Sequence, residues 1–186
     1  MSTHLPAQVR GSSLARFNAA PAEAAERALL LCCGSHRWAH RMAAHRPYPD
    51  LGALLAAADE ASYDLSSADL SEALGAEYSA ELHEAAPYAA HLALDAAHAE
   101  YERKFGHAFV ICLEGHPADE RPNQVLAEIR RRMGHEVDEE RAVSADELRR
   151  LAQARLAALA RMSELPDAVR PESPCSALWD SPSVPV

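Results

Sequence analysis

Glycine is scarce, at seven of 186 residues, and aromatic side chains make up only 5%. So few glycines argue against a turn-rich all-β fold and against a loop that cradles phosphate. Neither G-x-x-x-x-G-K-[ST] nor G-x-G-x-x-G occurs. Lysine occurs once, at Lys104, among 18 basic residues set against 28 acidic ones. A net charge of −10 leaves no basic surface for a phosphate backbone, so nucleic-acid binding is not expected. The longest apolar runs, such as residues 28–33, reach six residues, far short of a membrane span. The first seventeen residues contain no apolar signal core. The four cysteines (Cys32, Cys33, Cys112 and Cys175) form no C-x-x-C pair, which removes zinc-knuckle and thioredoxin-type motifs. A reduced, cytoplasmic protein is expected.

What is present is apolar content of 48%, much of it alanine, which favours close-packed helices. Residues 13–18 read as a short helical turn with Leu14 and Phe17 inward. Pro21 sits well at the start of a helix over 22–33, stopped by Gly34. Ser35 caps the next, to about residue 45, with Trp38 and Met42 inward. Arg46-Pro-Tyr-Pro-Asp50 is a rigid turn, and Asp50 caps a helix over 51–62. Ser66 or Ser67 caps a further helix carrying Leu70, Ala73 and Leu74. Pro87 opens a long helix to about residue 104. Residues 107–113 form an apolar stretch whose periodicity fits strand, extended chain or helix equally. Residues 123–133 are amphipathic, with Arg130 to Arg132 expected to be largely solvated. A last helix spans about 138–162, with a restart at Ser144 if Ser144 and Glu147 form a capping box. The sum is an all-α, compact bundle of about seven helices. The expected organisation is a loose stretch over 1–12, a single domain over 13–165, and a Pro/Ser-rich disordered tail over 166–186.

Several constellations could carry chemistry. His91, Asp95 and His98 fall on one face of the long helix with Glu102 beyond them, either a metal-ligating face or a solvated polar one. His36 and His40 sit one turn apart, as paired ligands or as the solvated flanks of Trp38. His116-Pro117 reads as a helix-entry turn. Cys112 lies in an apolar run, where a thiol is inert. Glu77 ends an apolar helix beside Tyr78, either solvated or facing a cleft as a proton-transfer carboxylate. Arg155 shares helical spacing with Leu148, Leu151, Ala152, Leu156 and Leu159. An arginine near an apolar face pairs with an anion, in a structural ion pair or as a clamp for a carboxylated substrate.

Three stretches together resemble the 2-oxo-4-hydroxy-4-carboxy-5-ureidoimidazoline (OHCU) decarboxylases of urate degradation. The first is Leu31-Cys-Cys-Gly-Ser-His-Arg-Trp-Ala39, with Met42, Ala43 and Arg46-Pro-Tyr48 after it. The second, and most specific, is Tyr101-Glu-Arg-Lys-Phe-Gly106 leading into Phe109-Val-Ile-Cys112. The third comprises Glu140, Ala142, Glu147, Leu148 and Arg155-Leu156.

The resemblance implies an all-α fold, a homodimer, no metal or organic cofactor, and decarboxylation of OHCU to (S)-allantoin. It implies that Arg155 binds substrate, that the main chain at Val110 and Ile111 touches it, and that Glu77 is catalytic. The sequence departs from the family in lacking the His-Pro and Glu-Gln motifs at their places, since His116-Pro117 lies on the wrong side of Phe109-Val-Ile-Cys112. Counted back from Tyr101, Glu77 falls at the family's Glu. Counted forward from the Leu-rich helix, it falls at the family's His. The intervening segment is absent, and His83 stands nearby as another imidazole. The same scaffold acting on another small heterocycle, and an inactive binding homologue, are the alternatives.

Overall fold

The computed structural model describes residues 13–78 and 88–162. The expected loose N-terminus, the Pro/Ser-rich tail, Cys175 and His83 lie outside the described residues. Within them are eight α-helices and no strand. They are α1 (Ser13–Ala19), α2 (Ala22–Leu30), α3 (His36–Ala44), α4 (Leu51–Tyr63), α5 (Ser67–Gly75), α6 (Tyr88–Phe105), α7 (Arg121–Arg132) and α8 (Val137–Met162). None of these is long and apolar enough to cross a membrane.

Local chemistry accounts for most boundaries. Ser35 accepts from the Trp38 amide and Asp50 from the Ala53 amide, each satisfying an N–H orphaned at a helix start. Ser66 and Asp69 form a reciprocal capping box at α5. The Arg46-Pro47 peptide is cis, and Arg46 donates to the carbonyls of Phe17 and Ala20 at 2.7 and 2.8 Å, tying the turn to the end of α1.

Two apolar cores result. The larger gathers α2, α3, α4, α5 and α8 around Trp38, whose indole N–H donates to the Ala58 carbonyl at 3.3 Å. Alanines at 39, 43, 58, 61, 73 and 152 allow these helices to approach closely. Gly34 marks a close approach: a Cβ there would stand 2.4 Å from the Ala76 Cβ. The smaller core joins α6 to α7 through Leu94, Tyr101, Phe109, Val125 and Ile129.

The apolar stretch after α6 is neither helix nor paired strand. It runs extended between the two cores, and its alternation explains its composition. Phe109 packs into the smaller core and Val110 into the larger. A buried extended chain without a sheet partner needs other groups for its amides and carbonyls. Arg132 donates to the Val110 carbonyl, and the Cys112 amide donates to Glu147, both at 2.8 Å.

This stitching corrects two expectations. Arg132 is not solvated; its side chain is 1% exposed and its Nε donates to Glu140, itself fully buried, at 2.8 Å. Tyr101 donates to the same Glu140 oxygen, His135 Nδ1 meets the other at 2.8 Å, and Ser144 accepts from Arg132 at 3.0 Å. Nor does α8 restart at Ser144. Glu140, Ser144, Leu148, Ala152 and Leu156 form one unbroken buried stripe at four-residue spacing, and Ser144 serves the network instead of capping a helix.

Candidate active site

The carboxylate and the guanidinium singled out in the sequence meet. Glu77 follows the end of α5, its amide donating to the Leu74 carbonyl at 3.3 Å, which turns the chain towards α8. Arg155 reaches it from α8 in a two-pronged pair, Nη1 to Oε1 and Nη2 to Oε2, each 2.7 Å. The Glu77 side chain is only 7% exposed, that of Arg155 36%. Nη1 also donates to the Cys32 carbonyl at 3.1 Å, just past the end of α2. Three chain segments far apart in sequence are thereby fixed at one point. Hydrogen bonds from the guanidinium to Glu77 push the Arg155 pKa further up, so the group is cationic at any working pH. Of its five N–H donors, three serve Glu77 and Cys32, and among the described residues Nε–H and one Nη2–H have no further acceptor.

Beside the pair lies an open cleft of about 510 Å³. One wall is the end of α5, with Leu74, Gly75, Glu77 and Tyr78; the other is the last turn of α6 and the chain after it, with Glu102, Gly106, His107 and Ala108. The cleft is polar on both sides and large enough for a small heterocycle.

The remaining candidates fall elsewhere. Val110 is buried and its carbonyl is taken by Arg132, while Ile111 is half-buried; neither lines the cleft. The α6 polar face is not uniformly solvated. His98 is buried with its ring on Phe109, 6.2 Å between centroids, and its Nε2 finds no partner among the described residues. Burial pushes the His98 pKa down and so favours the neutral ring, against the pull of Glu102 and Asp95. Among the described residues no group of three or more His, Cys, Asp or Glu is placed to hold a metal ion. His36 pairs with Glu72 at 2.7 Å and His40 with Glu26 at 2.8 Å, so each of the two imidazoles has a separate carboxylate partner. Burial pushes the Cys32 and Cys33 thiols up to about 12 and about 11.

Sequence reasoning passed over His107, which faces the cleft. It also read Arg132 as solvated, although its spacing of three from Ile129 and seven from Val125 places it on the buried face of α7.

A scaffold of helices, eight among the described residues, with a guanidinium-clasped carboxylate at a small cleft fits an enzyme acting on a small polar molecule. Comparison with protein families matches the OHCU decarboxylase family over residues 18–79 and 74–157. The chain belongs to that family. The two matched stretches share residues 74–79, the same place where both ways of counting arrive at Glu77. Among solved structures, the fold is similar to an OHCU decarboxylase crystallised in the presence of (S)-allantoin, with a TM-score of 0.63 and 20% identity. That similarity covers 76% of this chain and 99% of the other. An (S)-allantoin synthase gives a TM-score of 0.64 at 16% identity, over 80% of this chain and 54% of the other. Comparison with curated proteins gives no significant match.

Proposed function

We propose that the protein decarboxylates OHCU to (S)-allantoin, as a carbon–carbon lyase working without metal or organic cofactor. The observation that carries this reading is the Glu77–Arg155 pair, whose carboxylate lines the cleft, in a chain of this family. The reaction needs a grip on a carboxylated, urea-bearing ring, relief for negative charge as CO₂ departs, and a proton delivered to one face. Arg155 has two N–H groups left to hold an anionic or carbonyl oxygen. Glu77, the catalytic carboxylate, accepts a hydrogen bond from the ring hydroxyl and fixes which face is presented. Residues 13–165 act as one domain, and the chain works as a homodimer in the cytoplasm. Exposed Tyr88 and Leu92, one turn apart on α6, are apolar surface available to a second copy.

A second reading is an inactive binding homologue, favoured by the bidentate closure of Arg155 on Glu77, which is also the geometry of a structural ion pair. Turnover separates the two. Freshly generated OHCU is supplied and the optical activity of the allantoin is followed. The expected product is enriched in the S enantiomer; a product no more enriched than spontaneous decay gives rejects the enzyme reading.

A further inference from the structure

The carbanion left by CO₂ needs a proton donor. Both oxygens of Glu77 accept from Arg155, so in this arrangement the carboxylate is an acceptor. The donor has to come from another group on the cleft, and His107 on the opposite wall carries the chemistry.

Its position is built by the backbone. The Gly106 amide closes the last turn of α6 on the Glu102 carbonyl at 2.8 Å, and Gly106 takes φ +79°, the left-handed conformation that glycine adopts without strain. The chain therefore reverses after α6 and lays His107 back against it. The ring stands edge-on to Tyr101, 5.6 Å between centroids, while Tyr101 is itself locked by Glu140. His107 Nδ1 donates to the Ala108 carbonyl at 2.9 Å, which assigns the tautomer and leaves Nε2 as the ring atom available to a ligand. The imidazole is thus half-buried and held at two edges.

We propose that His107 is the group that protonates the substrate carbon after CO₂ leaves, acting across the cleft from Glu77. This rests on the reading that OHCU is the substrate. The bond from the ring to the carboxylate breaks, its electron pair stays on the ring, and CO₂ departs. The Nε2–H bond of the imidazolium then breaks, its pair remaining on nitrogen, and the proton forms the new C–H bond on the face turned towards His107. Solvent returns a proton to the imidazole. One proton is consumed for each substrate monoanion that loses CO₂.

The test compares wild type, His107→Phe and His107→Asn for kcat, KM and the enantiomer ratio of allantoin. Phe keeps the ring contact with Tyr101, and Asn keeps a polar side chain, so a folding defect in one leaves the other informative; circular dichroism of each protein verifies the fold. The expected result is a fall in kcat of about a hundredfold, within the usual range for losing a positioned acid. KM changes little, and the allantoin approaches the enantiomer ratio of spontaneous decay. A merely structural role for His107 would not move that ratio. An active wild type whose folded variants keep its kcat and its enantiomer ratio overturns the assignment while leaving the decarboxylase reading intact. A wild type that accelerates nothing overturns that reading, and the assignment with it.

Discussion

Replacing Arg132 by Met tests how the extended segment 107–113 is held. The guanidinium is 1% exposed and engages Glu140, Ser144 and the Val110 carbonyl at once. Met fills much of the volume but leaves the fully buried Glu140 carboxylate, still held by Tyr101 and His135, without the Arg132 charge, and the Val110 carbonyl without its donor. Removing one partner of a buried pair costs about 3–5 kcal/mol, because the other charge is left uncompensated. Domains of this size are stable by about 5–15 kcal/mol, so the loss takes a large share of the total. Equilibrium urea unfolding, read by far-UV circular dichroism, measures it. Adding Glu140→Leu removes the stranded charge, and the double variant is expected to recover part of the loss.

The pH dependence follows from the same contacts. Burial alone pushes the Glu140 carboxyl up, but hydrogen bonds from Arg132, Tyr101 and His135, with the Arg132 charge, outweigh it and hold the pKa below its usual value. The unfolded chain then takes up the proton at a higher pH than the folded one. Stability from this site is full above the ordinary Glu range and is lost as pH falls through the lowered folded value. Arg132→Met is expected to flatten that acid limb. A variant within about 1 kcal/mol of wild type, with an unchanged acid limb, refutes the view that Arg132 carries the segment, since breaking a buried pair is expected to cost about 3–5 kcal/mol.

Arg155→Ala is expected to raise KM for OHCU by about tenfold or more, as losing hydrogen bonds from a charged group costs about 1.5–3 kcal/mol; steady-state kinetics check it, and an unchanged KM removes Arg155 from substrate binding. His98, whose pKa is pushed down by burial, resists a proton that the unfolded chain accepts near its ordinary value. Stability therefore declines as pH falls from that value towards the lowered folded one, and His98→Leu is expected to lessen the drop in Tm between pH 8 and about pH 5. Cys32 and Cys33, with thiols pushed up to about 12 and about 11 and buried, are expected to stay unmodified by iodoacetamide at pH 8 in the native state. Peptide mass spectrometry shows which sites are alkylated, and rapid native labelling of either one contradicts the burial.

Much of the helical framework was legible because it is set locally. Ser35, Asp50 and Ser66 each sit immediately before an apolar-periodic run and cap it, as their residue types require. The Glu77–Arg155 meeting was legible only as a pair of oddities, a carboxylate at the end of an apolar helix and an arginine beside an apolar stripe. Its geometry depends on tertiary packing, including the close approach of Gly34 to Ala76. Residues 107–113 were ambiguous because their side chains divide between two cores, a property no single-chain periodicity encodes. Arg132 was misread because a run of three arginines looks like a solvated face, although its helical spacing from Val125 and Ile129 pointed inward. Ser144 was misread because a capping box and a buried polar partner share the same pattern of residues. His107 escaped notice because only the turn at Gly106 brings it across from Glu77.

The most direct test of the Glu77–Arg155 site is the optical activity of allantoin formed from fresh OHCU by wild type and by Glu77→Gln, at matched protein concentration and with both shown to be folded. The wild type should give strongly S-enriched allantoin and the variant only what spontaneous decay gives. A variant that matches the wild type in rate and in enantiomer ratio would contradict the assignment of Glu77 to the reaction.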